Sequence, residues 1–182
     1  MRFFKKLFMV SLLCFIALTC IGFMLPEQYS IEKEIKINAP NNLVFDELNN
    51  LMNWQHWSPW KEDVKDKKIE FSLVAIGEGA WQKWQSKSYG VGKLNIKRVT
   101  QSKMILYELI FENYNLRSTG EFYLEEISPE ITHLKWKDTY LAGNNIFFRY
   151  FGLLSNAFLG SEFEQSLLNL KYSIEEKKVK YD

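Results

Sequence analysis

The stretch IKINAPNNLVFDELNNLMNWQHWSPW, residues 35–60, decides how the rest of the chain is read. It begins as the end of an alternating strand and turns at Pro40. Leu43, Val44, Glu47, Leu48 and Leu51 then follow at the three- and four-residue spacing of a helix with one apolar face. Asn38 or Asn41 is expected to cap that helix. Met52 to Trp57 predicts a second short helix, stopped before Pro59 because a residue preceding proline is biased away from helical geometry. Trp54, Trp57 and Trp60, three of the chain's six tryptophans, fall within seven residues. Side chains that large bury area, so this turn is expected to fold back onto the body.

Upstream, Tyr29 to Asn38 alternates. Ile31, Ile35 and Ile37 share one face and Glu32, Glu34 and Lys36 the other, the pattern of a half-buried strand. Downstream, a charged loop (Lys61 to Lys68) leads into six strand-like runs: Ile69–Val74, Ala80–Ser88, Val91–Thr100, Met104–Glu112, Leu116–Ile127 and Ile131–Leu141. Between them stand turn residues such as Gly77-Glu78-Gly79, Tyr89-Gly90-Val91-Gly92, Gln101-Ser102-Lys103, Asn113-Tyr114-Asn115 and Ser128-Pro129-Glu130, which predicts an antiparallel meander. The last 35 residues change period: Phe147, Phe151, Leu154 and Phe158 recur at helical spacing, then Phe163, Leu167, Leu170 and Ile174. The step of five from Phe158 to Phe163 predicts a long helix bent or broken near Gly160, with both stripes closing the sheet.

Three segments carry a resemblance. The INAP strand end, the Val44-Phe45 helix and the Trp54–Trp60 turn resemble the opening of the START-like helix-grip superfamily, in its bacterial SRPBCC or polyketide cyclase/dehydrase branch. Leu25, Pro26 and Tyr29 match an LP-x-x-Y junction of that family. GSEFEQSLLNLK, residues 160–171, resembles its C-terminal helix pattern G-x-[DE]-F-E-x-x-L-x-x-L-K. The likeness spans roughly residues 25–175. It implies an α+β fold, an antiparallel sheet wrapped around a long terminal helix, built around a ligand cavity.

Residues 7–25, LFMVSLLCFIALTCIGFML, hold no charge. At helical rise they span about 28 Å, close to a bilayer's hydrocarbon thickness. Arg2, Lys5 and Lys6 are the only charges before Glu27. This one-sided basic flank predicts a cytoplasmic N-terminus and a body on the far side of the membrane. The competing reading is a cleaved signal peptide; against it, the apolar run exceeds the usual length and no A-x-A site follows. The expected organisation is an anchor over residues 1–26, a START-like domain over 27–178 and a tail over 179–182. The expected location is single-pass in a bacterial inner membrane, with the C-terminal domain in the periplasm or outside.

Composition narrows the chemistry. After position 25 the chain has 20 basic and 22 acidic residues, and no run of more than two adjacent basic residues, so nucleic acid is a poor partner. Both cysteines, Cys14 and Cys20, lie in the apolar segment, which leaves the body without a disulfide or a thiolate metal site. His56 and His133 are 77 residues apart and suit no zinc spacing. No cofactor and no metal is expected, and no catalytic residue is assigned. His56 is read as a loop residue packed beside Trp54 or Trp57, and His133 as a solvated one.

Strand parity supplies the candidate site. Ile105, Tyr107, Leu109 and Phe111 share a face, as do Gly120, Phe122 and Leu124, and Leu134, Trp136, Asp138 and Tyr140; Trp84 shares one with Gln82 and Ala80. A solid core would have the same residues, but Tyr107, Trp136, Gln82 and Asp138 bring polar atoms to an apolar wall, as small-molecule sites do. The expected ligand-binding set is Trp84, Tyr107, Leu109, Phe111, Phe122, Trp136, Asp138 and Phe151. Its expected partner is a hydrophobic small molecule or lipid. Two alternatives stand beside this: a cyclase/dehydratase-type enzyme using Asp138 or His56 for a proton, and an interaction module presenting the tryptophan turn to a membrane partner.

Overall fold

The computed structural model describes residues 2–59, 68–87, 90–114 and 116–181. Trp60, the charged loop from Lys61 as far as residue 67, Tyr89 and Asn115 lie outside the described residues. The elements run α1 (Arg2–Met24), β1 (Gln28–Ile37), α2 (Asn41–Asn49), α3 (Trp54–Trp57), β2 (Lys68–Phe71), β3 (Trp81–Ser86), β4 (Gly90–Thr100), β5 (Met104–Phe111), β6 (Leu116–Ser128), β7 (Ile131–Leu141) and α4 (Ile146–Tyr181).

Alternation along β1 turns Ile31 and Ile37 into the core and leaves Glu32, Glu34 and Lys36 exposed. The chain leaves β1 at Pro40, which occupies the cap position of α2; neither Asn38 nor Asn41 caps the helix through its side chain. The Asn38 amide instead donates to the Glu175 carboxylate of α4 at 2.7 Å, tying the strand end to the terminal helix. Val44, Phe45 and Leu48 of α2 and Trp54 and Trp57 of α3 are all essentially inaccessible. Trp54 Nε1–H donates to the Leu48 carbonyl at 2.8 Å, so its one polar atom is satisfied. The tryptophan turn therefore folds back as expected, and Trp54 and Trp57 are not presented to a partner.

The seven strands form one antiparallel sheet in the order β1-β7-β6-β5-β4-β3-β2. A meander from β2 to β7 is completed by β1, which returns beside β7. Register shifts at Ile96/Arg98 and Glu126/Ser128 mark bulges, which bend strands and raise their twist. Helix α4 crosses the inner face. Phe163, Leu167, Leu170 and Ile174 are buried there, with the Phe163 ring 4.2 Å from that of Trp136, and Lys33 of β1 pairs with Glu164.

Two expectations for α4 are corrected. The helix runs unbroken through Gly160, from Ile146 to Tyr181. Phe151, Leu154 and Phe158 do not close the sheet: they are 42%, 52% and 62% exposed, and Phe147 is 86% exposed. At 100° per residue, the stripe through Phe147, Phe151, Leu154 and Phe158 lies about 160° around the helix from the stripe through Phe163, Leu167, Leu170 and Ile174. The phase step thus marks a change of side on one continuous helix. In the first half the inward face is Arg149, Gly152 and Ser155, all buried. It is small because Tyr29 of β1 lies against Gly152, leaving no room for a Cβ.

Helix α1 contains a 22-residue segment, Phe3–Met24, with an 18-residue stretch of mean hydropathy 2.5, long and apolar enough to cross a membrane. Its side chains are almost all exposed.

Candidate functional site

Cross-strand rows build the site. Ile105, Phe122 and Trp136 align across β5, β6 and β7; the next row is Tyr107, Gly120 and Asp138; the next is Leu109, Ser118 and Tyr140; Phe111 and Leu116 follow. The first row is packed solid. Phe122 lies 5.1 Å from Trp136 and 5.5 Å from Trp54, and Trp57 meets both Phe122 and Trp136 edge-on.

The second row is the boundary. A Cβ on Gly120 would overlap the Tyr107 ring, so glycine there lets the ring lie flat across β6. The ring carries its hydroxyl over that strand to Asp138, donating to Oδ2 at 2.8 Å. The same hydroxyl accepts Trp136 Nε1–H at 2.9 Å. A second instance of the device stands nearby: Trp84 lies over Gly92, the residue that pairs with Phe111, and the Trp84 and Phe111 rings meet edge-on at 5.6 Å.

Beyond the boundary the packing opens. A cleft of about 440 Å³ lies between the sheet and α4, lined by Ile31, Leu109, Phe111, Leu116, Phe151 and Phe163 among its apolar residues and by Ser118, Asp138 and Glu162 among its polar ones. Of the residues expected in the binding set, Leu109, Phe111, Asp138 and Phe151 line this cleft. Trp84, Tyr107, Phe122 and Trp136 do not; they are packed in the core behind it. Parity put the seven strand residues of the set on the inner face but carries no information on depth, and the terminal helix with the α3 tryptophans fills one end of the sheet only.

Asp138 is the buried carboxyl of the cleft, 5% exposed. Burial pushes its carboxyl above the ordinary range, against the opposing hydrogen bond from Tyr107 and the Ser118 hydroxyl alongside. Ser118 Oγ is itself buried beside that carboxylate. The Tyr107 hydroxyl is held well above its ordinary value, first by burial and then by the Asp138 charge, which keeps it a donor. The cleft thus offers apolar walls with a buried polar pair, Asp138 and Ser118, and the exposed Glu162 from α4, groups that can orient a polar part of a ligand.

A second groove, of about 450 Å³, lies between α2 and the end of α4. Within it Glu47 Oε2 accepts from Lys177 at 2.8 Å and from Asn53 at 3.0 Å. His56 is exposed on α3 and does not line the cleft. His133 lies on the outer face of the sheet between Glu34 and Glu125. Among the described residues no three His, Cys, Asp or Glu side chains converge as a cation site.

Sequence reasoning missed Arg149. Its guanidinium, 4% exposed, donates to the carbonyls of Phe23 at 2.8 Å and Leu25 at 3.0 Å, to Glu27 Oε1 at 2.7 Å and, through Nε, to Gly143 O at 2.7 Å. It satisfies the open end of α1 and fixes that helix to α4. The signal was present: Arg149 is the one charge between Asp138 and Glu162.

No protein-family model matches the chain, and no curated protein is similar to it in sequence. Solved structures are similar in fold. A Staphylococcus aureus protein of unknown function aligns with a TM-score of 0.62 at 13% identity, over 84% of this chain and 98% of its own. A Chromobacterium violaceum protein aligns with 0.56 at 14%, over 81% and 97%. DynU16, from the dynemicin biosynthetic locus, aligns with 0.56 at 14%, over 80% of this chain and 47% of its own. At such identities the likeness is one of fold, and the shared architecture is consistent with a helix-grip fold.

Proposed function

We propose that this chain is a membrane-anchored START-like domain that reversibly binds a hydrophobic small molecule or lipid. The observation that carries the reading is the cleft of about 440 Å³ between sheet and α4, apolar on most sides, with Asp138 and Ser118 at one place on its wall. Apolar walls supply affinity through buried area, at roughly 25 cal/mol per Å², while the polar pair selects and orients the head group. The family resemblance of residues 35–60 and 160–171 supports the same reading. The length, hydropathy and exposure of α1 support an anchor, and its one-sided basic flank supports a body on the non-cytoplasmic side. The test is native mass spectrometry of the full chain released from detergent. A retained small-molecule mass supports binding; a uniformly bare chain opposes it.

A second reading, an enzyme of the cyclase/dehydratase type, is favoured by one observation: a cleft carboxyl with raised proton affinity, hydrogen-bonded to a tyrosine. Turnover that follows the titration of Asp138 and is lost in Asp138→Asn would support it.

A further inference from the structure

The first four turns of α4, residues 146–160, carry a single charge, and it is the buried Arg149. Their outer side is apolar: Phe147, Leu153, Leu154 and Phe158 are 86%, 59%, 52% and 62% exposed. After Gly160 the helix carries charges, Glu164, Lys171 and Glu175, that pair with β1 and its end, and its exposed apolar side chains thin to Leu168 and Tyr172. An aromatic and aliphatic face of this length is too large to be ordinary surface on a water-soluble body.

Its position says what covers it. These turns are fastened to the end of α1. Ile146 and Tyr150 pack against Gly22, whose missing side chain lets the helices approach. The Tyr150 hydroxyl donates to the Leu18 carbonyl at 2.7 Å, six residues back from the end of α1. Along the α1 axis that contact lies about 9 Å inside the apolar helix. Arg149 grips the last carbonyls of α1, and Leu141, 59% exposed, sits opposite Gln28 at the same level.

We propose that the outer face of residues 146–160 is a second membrane contact, seated in the interfacial layer of the bilayer that α1 crosses. The inference rests on the reading of α1 as a membrane span. The composition fits: aromatic rings and leucines on one side, with the half-buried Tyr150 beside them, is how a helix lies in an interface. The consequence for the cleft is direct. Phe151 both belongs to this face and lines the cleft, so the proposed contact would bring one wall of the cleft to the bilayer and give a lipid-phase ligand access to it.

Nitroxide labels test this in the full chain, with Cys14→Ser and Cys20→Ser as background, reconstituted in phosphatidylcholine vesicles. Labels at Leu154→Cys and Phe158→Cys are compared with Tyr172→Cys, also exposed on α4, and with Leu13→Cys in the middle of α1. The expected result is an oxygen-to-nickel-chelate accessibility ratio several-fold higher at 154 and 158 than at 172, with label 13 shielded from the chelate. If 13 is shielded while 154 and 158 are as open to the chelate as 172, the second contact is refuted and the span stands. If 13 is open to the chelate, the span fails and the contact falls with it. If 154 and 158 are closed to both quenchers, protein covers the face, as in a second copy of the chain, and the lipid contact is refuted. None of these outcomes depends on whether the cleft is occupied.

Discussion

Tyr107 reaches Asp138 across a strand to which neither belongs. The hydroxyl on β5 donates at 2.8 Å to a carboxylate on β7, and the row is closed by Gly120 of β6 between them. This row separates a solid aromatic core from an open cleft. It also gives the cleft wall its buried carboxyl in a fixed position, since the tyrosine that holds the carboxylate is itself packed on all sides.

The titration of Asp138 has a definite sign. Its folded carboxyl is raised, chiefly by burial, so the ionised form is disfavoured relative to the unfolded chain. Its contribution to stability is therefore greatest below the ordinary carboxylate range and is lost as pH rises through the raised value. Asp138→Asn keeps an acceptor for Tyr107 and carries no charge. The variant should match or exceed the parent in stability at neutral pH, and the difference should close on acidification. Urea titrations of both proteins across acidic to neutral pH measure this; a parent that gains on the variant as pH rises would show a depressed carboxyl instead.

Gly120→Ala should destabilise, although alanine ordinarily suits a strand better than glycine. The added methyl meets the Tyr107 ring and must displace it from Asp138. Overpacking of this kind costs about 1–3 kcal/mol. A thermal or denaturant midpoint equal to the parent's would mean the ring does not lie over Gly120.

The two sides of α4 should respond differently. Leu167 is 1% exposed and Leu154 52%. Leu167→Ala should cost about 2–5 kcal/mol in a denaturant titration of detergent-solubilised protein. Leu154→Ala should stay within about 0.5 kcal/mol, the usual range for a surface change. Equal losses would restore a single core-facing stripe.

Gly160→Ala should be neutral or mildly stabilising. The helix is unbroken there, and the new methyl would meet only the ends of Asn156 and Lys33, which can move. Alanine gains up to about 1 kcal/mol of helix propensity over glycine. A lower melting temperature would show that the two side chains cannot yield.

Much of this architecture is legible in the sequence because it depends on period. The alternation in β1 and β5–β7 set which side chains face inward, and the turn residues set the meander. The Ile105-to-Phe111 and Leu134-to-Tyr140 faces were readable as one wall. Depth was not: nothing in parity tells Trp136, sealed behind Phe163, from Leu109 at the cleft. The outward stripe of α4 was misassigned for a related reason. Apolar spacing reports that a helix has an apolar face, while the partner of that face is decided by what else is near. For Phe147 to Phe158 the sheet side was already taken by Tyr29 against Gly152, and by Arg149 reaching for the end of α1. Pro40 likewise displaced both asparagines as the cap of α2.

The most direct test of ligand binding fills the cleft and asks what leaves. Leu159 lines it from α4 and is only partly buried, so Leu159→Trp should occupy its volume without breaking the sheet. Parent and variant, purified as full chains in the same mild detergent, are compared by native mass spectrometry, with circular dichroism confirming that both are folded. If the cleft binds a hydrophobic ligand, the parent carries a small-molecule adduct that the folded variant lacks. A parent without any adduct, or a folded variant that retains the same adduct in the same proportion, would contradict it.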